Sequence, residues 1–170
     1  MPQAVLETER LRLRPFADSD DAFVFELLNE PSWLRFIGDR GIRTLADARA
    51  YIKNGPRTMF ELYGFSLMVA ERKADSVALG MCGLIKRVSL PAPDIGYAFL
   101  PRYWGQGYAC EAAAAVLAHS HSVLGLPRIL AITDPENDRS IRVLEALGMR
   151  FAQLIPYDDG GVSRLFEHLG

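Results

Sequence analysis

The chain has 170 residues, 49% of them hydrophobic and 24% charged, with 19 Lys and Arg against 21 Asp and Glu and a formal net charge of −2. A chain of this size buries roughly 70% of the surface it exposes when unfolded, so residues 1–170 read as one domain that needs neither disulfide nor structural metal. The near balance of charge argues against duplex nucleic acid or anionic membrane as a main partner, and Cys82 and Cys110 are too few for a secreted scaffold or zinc site.

The two cysteines read as buried thiols in a reducing, cytoplasmic compartment. The first seven residues lack the basic start and apolar run of a signal peptide. Arg10, Leu11, Arg12, Leu13 and Arg14 then alternate with period two, which predicts a strand with leucines on one face and arginines on the other. The arginine stripe reads as a solvated strand face rather than a nucleic-acid site. Asp18 and Asp21 bring carboxylates to a helix start, Phe23, Val24, Leu27 and Leu28 give it an apolar stripe, and Asn29-Glu30-Pro31 ends it. Thr44 with Asp47 resembles a capping box opening a second helix, which is expected to stop near Asn54-Gly55-Pro56.

Two runs, 65–71 and 77–86, predict an antiparallel strand pair, and a further strand spans 94–100. The segment 108–124 is the most apolar window, but Glu111, His119, Ser120, His121 and Ser122 interrupt it. It falls short of the ~20 apolar residues of a membrane span and reads as a buried helix. A strand at 128–133, a helix from Asn137 to Gly148 and a closing hairpin, 151–157 and 162–168 turning through Asp158 and Asp159, complete the order βααβββαβαββ. That is a mixed α/β (α+β) chain.

The chemistry concentrates between residues 94 and 124. Gly105 and Gly107 allow positive φ and close approach to backbone, and the following helix points free N–H groups and its positive dipole end at the same place. This is an anion cradle fit for a pyrophosphate, or simply a tight turn that needs glycine. No P-loop lysine follows the glycines, and a dinucleotide fingerprint would need Gly or Ala where Cys110 stands.

Arg102-Tyr103-Trp104-Gly105-Gln106-Gly107 resembles the Q/R-x-x-G-x-G/A acetyl-CoA loop of GNAT N-acetyltransferases, and the flanks Asp94-Ile95-Gly96-Tyr97, Tyr108-Ala109 and Glu111-Ala112 extend the match. Glu7 to Arg14, Asn137-x-x-Ser140 and Leu147-Gly148-Met149, with Met149 in place of a Phe, are similar to the RimJ/RimL-type branch. The resemblance implies a GNAT fold: a central mixed, mostly antiparallel sheet splayed at the cofactor strand and flanked by about four helices. It implies acetyl-CoA as co-substrate, no metal, and direct transfer to an amine within a ternary complex.

It also implies site residues. Backbone groups of Tyr97, Ala98, Phe99 and Leu100 would pair with pantetheine. Pyrophosphate would rest on Arg102, Trp104, Gly105, Gln106, Gly107, Tyr108 and Ala109. Asn137 and Ser140 would line the pantetheine end, roles compatible with helix capping. Many family members carry a Tyr seven residues after that Asn, where this chain has Leu144. Ser140 is then the nearest hydroxyl to serve as thiol-side donor. Asp94 is the candidate base, acting directly or through water, although a strand-end carboxylate is expected to face solvent.

Glu111 reads as a dipole partner and hydrogen-bonder of its helix. His119 and His121, about 200° apart on a helix, are not a metal pair. Trp33 and Phe36 border the acceptor pocket in the family resembled, or pack the core. The acceptor is a protein N-terminal amine or a small-molecule amine. The alternatives are a non-catalytic acyl-CoA-binding or sensing domain on the same fold and, more remotely, a nicotinamide-binding module. The terminal strands leave room for a homodimer.

Overall fold

Strand alternation organises the molecule from its first strands. In β2 (Leu11–Arg14) both leucines are fully buried, while Arg12 and Arg14 project to the other side and share Glu71. Arg14 also forks onto Asp20, so the stripe expected to be solvated is an ion-paired face. The computed structural model describes residues 3–156 and 160–170. The turn expected at Asp158 and Asp159 lies outside them.

With β2, a short β1 (Leu6–Glu7), β3 (Leu67–Arg72), β4 (Val77–Ile85), β5 (Asp94–Phe99), β6 (Arg128–Thr133), β7 (Arg150–Pro156) and β8 (Val162–Leu169) form one sheet in the order β1-β2-β3-β4-β5-β6-β8-β7. Neighbours are antiparallel except β5 and β6, which are parallel and joined through a helix. Among the described residues, six α-helices flank the sheet: α1 (Asp21–Leu28), α2 (Pro31–Phe36), α3 (Leu45–Ile52), α4 (Thr58–Tyr63), α5 (Tyr108–Ser122) and α6 (Asp138–Ala146). The mixed, mostly antiparallel architecture expected from the sequence is the one observed.

Each sheet face has its own apolar cluster. On one, Tyr108, Ala112, Val116 and Leu117 of α5 and Ile141 and Leu144 of α6 pack on Cys82, Leu84, Ile95 and Phe99. On the other, Val24, Leu27, Leu28, Trp33, Ala48 and Ile52 pack on Val69, Met81 and Leu100. No helix among the described residues is long and apolar enough to cross a membrane.

Three local readings need correction. Pro31 does not merely end α1; it takes the first position of α2, where a missing N–H costs nothing. The capping box of Thr44 and Asp47 opens α3 as expected, but the helix does not stop at Asn54-Gly55-Pro56. A π turn, Lys53–Arg57, absorbs the proline, Thr58 donates its hydroxyl to the Lys53 carbonyl at 2.8 Å, and α4 runs on to Gly64, whose φ of +77° ends it. Of the two cysteines only Cys82 is fully buried; Cys110 is half-buried.

The sheet is tight where β4 passes its neighbours. A Cβ on Gly83 would collide with the Ser66 carbonyl oxygen and stand 2.7 Å from Leu67 Cα, both backbone atoms that cannot step aside. Gly83→Ala is therefore expected to lower stability by about 2 kcal/mol, read as a lower urea midpoint with unchanged slope.

Candidate active site

The site begins where pairing fails. Parallel β5 and β6 share one paired position, Asp94 with Leu130, fixed by the Leu130 N–H donating to the Pro93 carbonyl at 2.9 Å. Beyond it the strands diverge, and a cavity of about 1620 Å³ includes residues of both diverging strands, Ile95 to Phe99 on one side and Ala131 to Thr133 on the other. The Leu100 N–H donates to Leu79 of β4, so by alternation Gly96, Ala98 and Leu100 turn their backbone groups toward β4. Tyr97 and Phe99 turn theirs to the opening. Of the four strand residues expected to pair with a ligand, these two are placed to do so. The Phe99 carbonyl already accepts the Trp104 indole N–H at 2.8 Å.

At the far end of β5 lies the glycine turn. Gly105 and Gly107 have φ of +75° and +83°, and Gly107 caps α5. The first helical bond of α5 runs from the Glu111 N–H to the Gly107 carbonyl, which leaves the N–H groups of Tyr108, Ala109 and Cys110 without helical acceptors. Free donors and the dipole end make an anion cradle. The Arg102 side chain, expected at that anion, is engaged instead with Glu26 of α1 at 2.7 Å, and neither Arg102 nor Gln106 lines the cavity. Two cations that the sequence does not place at the site stand near: Arg10 of the arginine stripe, close to Gly107 and stacked over the Tyr108 ring at 4.3 Å, and Arg139 of α6, over the Trp104 ring at 4.7 Å. Trp104, Gly105, Gly107, Tyr108 and Ala109 all line the cavity.

The two sides of β5 carry different chemistry. Tyr97 projects on the α5 side and reaches α6, its hydroxyl 2.9 Å from Ser140 Oγ and donating to the Ser140 carbonyl at 3.1 Å. Burial pushes the Tyr97 phenol up, keeping its proton on. Asn137 caps α6 by accepting from the Ser140 N–H at 3.2 Å, and both residues line the cavity. Leu144 is buried in the core, so no hydroxyl comes from that position.

Asp94 lies three residues from Tyr97, on the opposite face by alternation. It does not face solvent: it is 1% exposed, and both carboxylate oxygens accept from Arg87 Nε, at 3.1 and 3.2 Å. Burial raises its pKa to about 6, against the lowering pull of the Arg87 charge. A buried carboxylate lining a cavity and half-titrated near neutrality is suited to accept a proton.

Other expectations resolve locally. Glu111 accepts from the Thr8 hydroxyl and from the Arg10 backbone N–H and Nε, the structural hydrogen-bonder expected. His119 and His121 do not pair; His121 instead meets His168 of β8 at 2.9 Å. Trp33 and Phe36 line the cavity, and Trp33 also packs in the helical-side core. The Tyr97 hydroxyl as a partner for Ser140 was missed. Its signal was the odd-numbered register of the strand, read for backbone contacts alone.

Residues 10–150 match the family model described as an acetyltransferase (GNAT) domain. The uncharacterized protein YkkB of Bacillus subtilis (strain 168) is 36% identical over 153 residues, 88% of this chain and 87% of its own length. Among solved structures, the GNAT-family acetyltransferase from Bacillus anthracis superposes with a TM-score of 0.82 at 27% identity, covering 98% of each chain. Mycobacterium smegmatis RimJ, in complex with CoA-disulfide, shares the fold with a TM-score of 0.84 at 21% identity, covering 98% of this chain and 88% of that one.

The Asp94 and Arg87 pair yields a direct test. Removing the neighbouring positive charge in Arg87→Gln takes away the main opposition to desolvation, so the Asp94 pKa is expected to rise by about one unit or more above its starting value near 6. Carboxyl-carbon NMR titration of both proteins measures it.

Proposed function

The chain belongs to the GNAT acetyltransferase family and is an N-acetyltransferase, and from that premise we propose that it moves the acetyl group of acetyl-CoA directly to a primary amine within a ternary complex. The one-rung junction of β5 and β6, with the glycine cradle at the far end of β5, carries this reading. It supplies in one line a pyrophosphate seat, a free strand edge for pantetheine, and an opening at which an amine can meet the thioester. The motifs of the RimJ/RimL-type branch and the fold shared with RimJ support a place in that branch. The acceptor is then a protein N-terminal amine or a small-molecule amine.

The residues fit the co-substrate. The N–H groups of Tyr108, Ala109 and Cys110 and the adjacent turn would hold pyrophosphate, with Arg10 and Arg139 as nearby cations and Arg102 available by exchange from Glu26. Tyr97 would offer backbone groups to pantetheine as a strand neighbour does. Acetyl-CoA supplies a thioester activated toward nucleophiles.

Attack joins the amine nitrogen to the carbonyl carbon, the carbon–sulfur bond breaks, and the ammonium proton passes to Asp94 directly or through water. Strand N–H groups facing the opening would stabilise the developing oxyanion. On the other face, Tyr97 would swing its hydroxyl proton from the Ser140 carbonyl to Ser140 Oγ, 2.9 Å away, freeing the Ser140 proton to turn toward the leaving sulfur. A non-catalytic acyl-CoA-binding role has no observation in its favour. The exposed edge strand β7 would serve a homodimer.

The decisive experiment is thiol release from acetyl-CoA across a panel of primary amines and N-terminal peptides. Release with at least one class is expected, and CoA binding without release from any member would overturn the reading. Since the base works deprotonated, kcat/KM should rise with pH through about 6, and Asp94→Asn should abolish that limb and lower kcat by roughly 100-fold or more. Gly107→Val, forced to φ of +83°, should weaken CoA binding at least about tenfold by calorimetry.

A further inference from the structure

The amine end of the cavity is rich in hydrogen-bond donors and poor in acceptors. Asp94 begins β5, and the strand's six residues put the glycine turn about 17 Å away, so groups around Asp94 are remote from the anion cradle. Four donor side chains line the same cavity as Asp94, Arg87 among them in direct contact with it. Arg87 gives only its Nε to Asp94, and no protein acceptor among the described residues meets either Nη. Arg40, between Gly38 and Gly41 on the loop after α2, is exposed and likewise without a protein partner among the described residues. The Tyr51 hydroxyl has no hydrogen-bond partner among the described residues, and the positive fields of Arg40 and Arg87 oppose the rise that burial imposes on its phenol. Trp33 is 6% exposed, and its indole N–H is a buried donor with no partner among the described residues.

Buried donors are rarely left unmatched without a reason. Here one buried donor, the Trp33 indole N–H, goes unmatched among the described residues, and the half-buried Arg87 and the exposed Arg40 set two guanidinium groups against Asp94, which Arg87 already satisfies. A cationic amine alone would find one acceptor and two like charges. We propose that the acceptor is an amine bearing a carboxylate, its amino group directed to Asp94 and its carboxylate held by the free Nη groups of Arg87 and by Arg40. Phe36, Ile37 and Met59 line the same cavity and would take an apolar body. The inference rests on the acetyltransferase reading above and names the class of substrate within it. The carboxylate belongs either to a free amino acid or to an acidic residue near a peptide N-terminus.

Thiol release decides it on isosteric pairs: L-phenylalanine against L-phenylalaninamide, and tripeptides differing only by Asp or Asn at the second position. The carboxylate member of at least one pair is expected to win by about tenfold or more in kcat/KM. Preference in the first pair assigns the carboxylate to an amino acid, and preference in the second assigns it to a peptide side chain. Arg40→Gln, at an exposed loop position, should raise KM for the winning acceptor about tenfold, leave kcat near its starting value, and leave the neutral partner unaffected. Turnover of neutral amines as fast as, or faster than, every carboxylate partner overturns this inference and leaves the acetyltransferase reading standing. Release from no amine at all overturns both.

Discussion

Two parallel strands that share one rung determine what the molecule can do. In an ordinary parallel pair the slanted ladder would continue past Asp94 and Leu130 and consume the backbone groups of Tyr97 and Phe99. Divergence leaves those groups facing a cleft in the middle of the sheet, where an unpaired edge is normally expensive. The sheet tolerates it because the other edge of β5 is fully laddered to β4 and the other edge of β6 to β8. Packing on both faces does the rest: α5 and α6 hold one side, α1 to α3 the other. The opening is thus a defect framed by rigid elements, which is what a site that positions two substrates requires.

The same strand separates two kinds of proton chemistry. Alternation sends Asp94 and Tyr97 to opposite faces, so a carboxylate paired with Arg87 and a phenol paired with Ser140 stand on either side of one backbone. Burial raises both groups, with different results. It brings the carboxyl near neutrality, where it exchanges protons, and it moves the phenol away from neutrality, where it only donates a hydrogen bond.

Much of this was legible in the residues. The alternating Arg and Leu of β2, the capping box at Thr44, the glycine turn and the Asn137 to Ser140 start of α6 carry local signals, and the structure follows them. The errors arose where a residue's meaning depends on distant partners. Pro56 signals a helix end, yet a π turn absorbs it, with the proline itself buried, and the helix goes on. Asp94 looks like a solvent-facing strand end, but its burial is set by the cavity wall and by Arg87, seven residues earlier. Arg102 fits the loop motif, while its side chain obeys Glu26, 76 positions away. Sequence spacing shows which backbone will bend; it does not show which charge a long side chain will choose.

Glu111 draws the start of the chain onto the cradle. Its carboxylate holds the Thr8 hydroxyl and the Arg10 backbone and guanidinium, partners 103 and 101 positions earlier. The amino-terminal end of α5 is therefore anchored by the segment that leads into β2, and Arg10 is brought to Gly107 by the same clasp. Closing so long a loop is an entropic cost borne before any local reward, which favours late formation on the folding route. During synthesis the amino-terminal strand must wait, unlatched, until α5 has emerged. The cradle would then mature with the global fold, rather than existing as a preformed peptide motif that a ligand could recruit early.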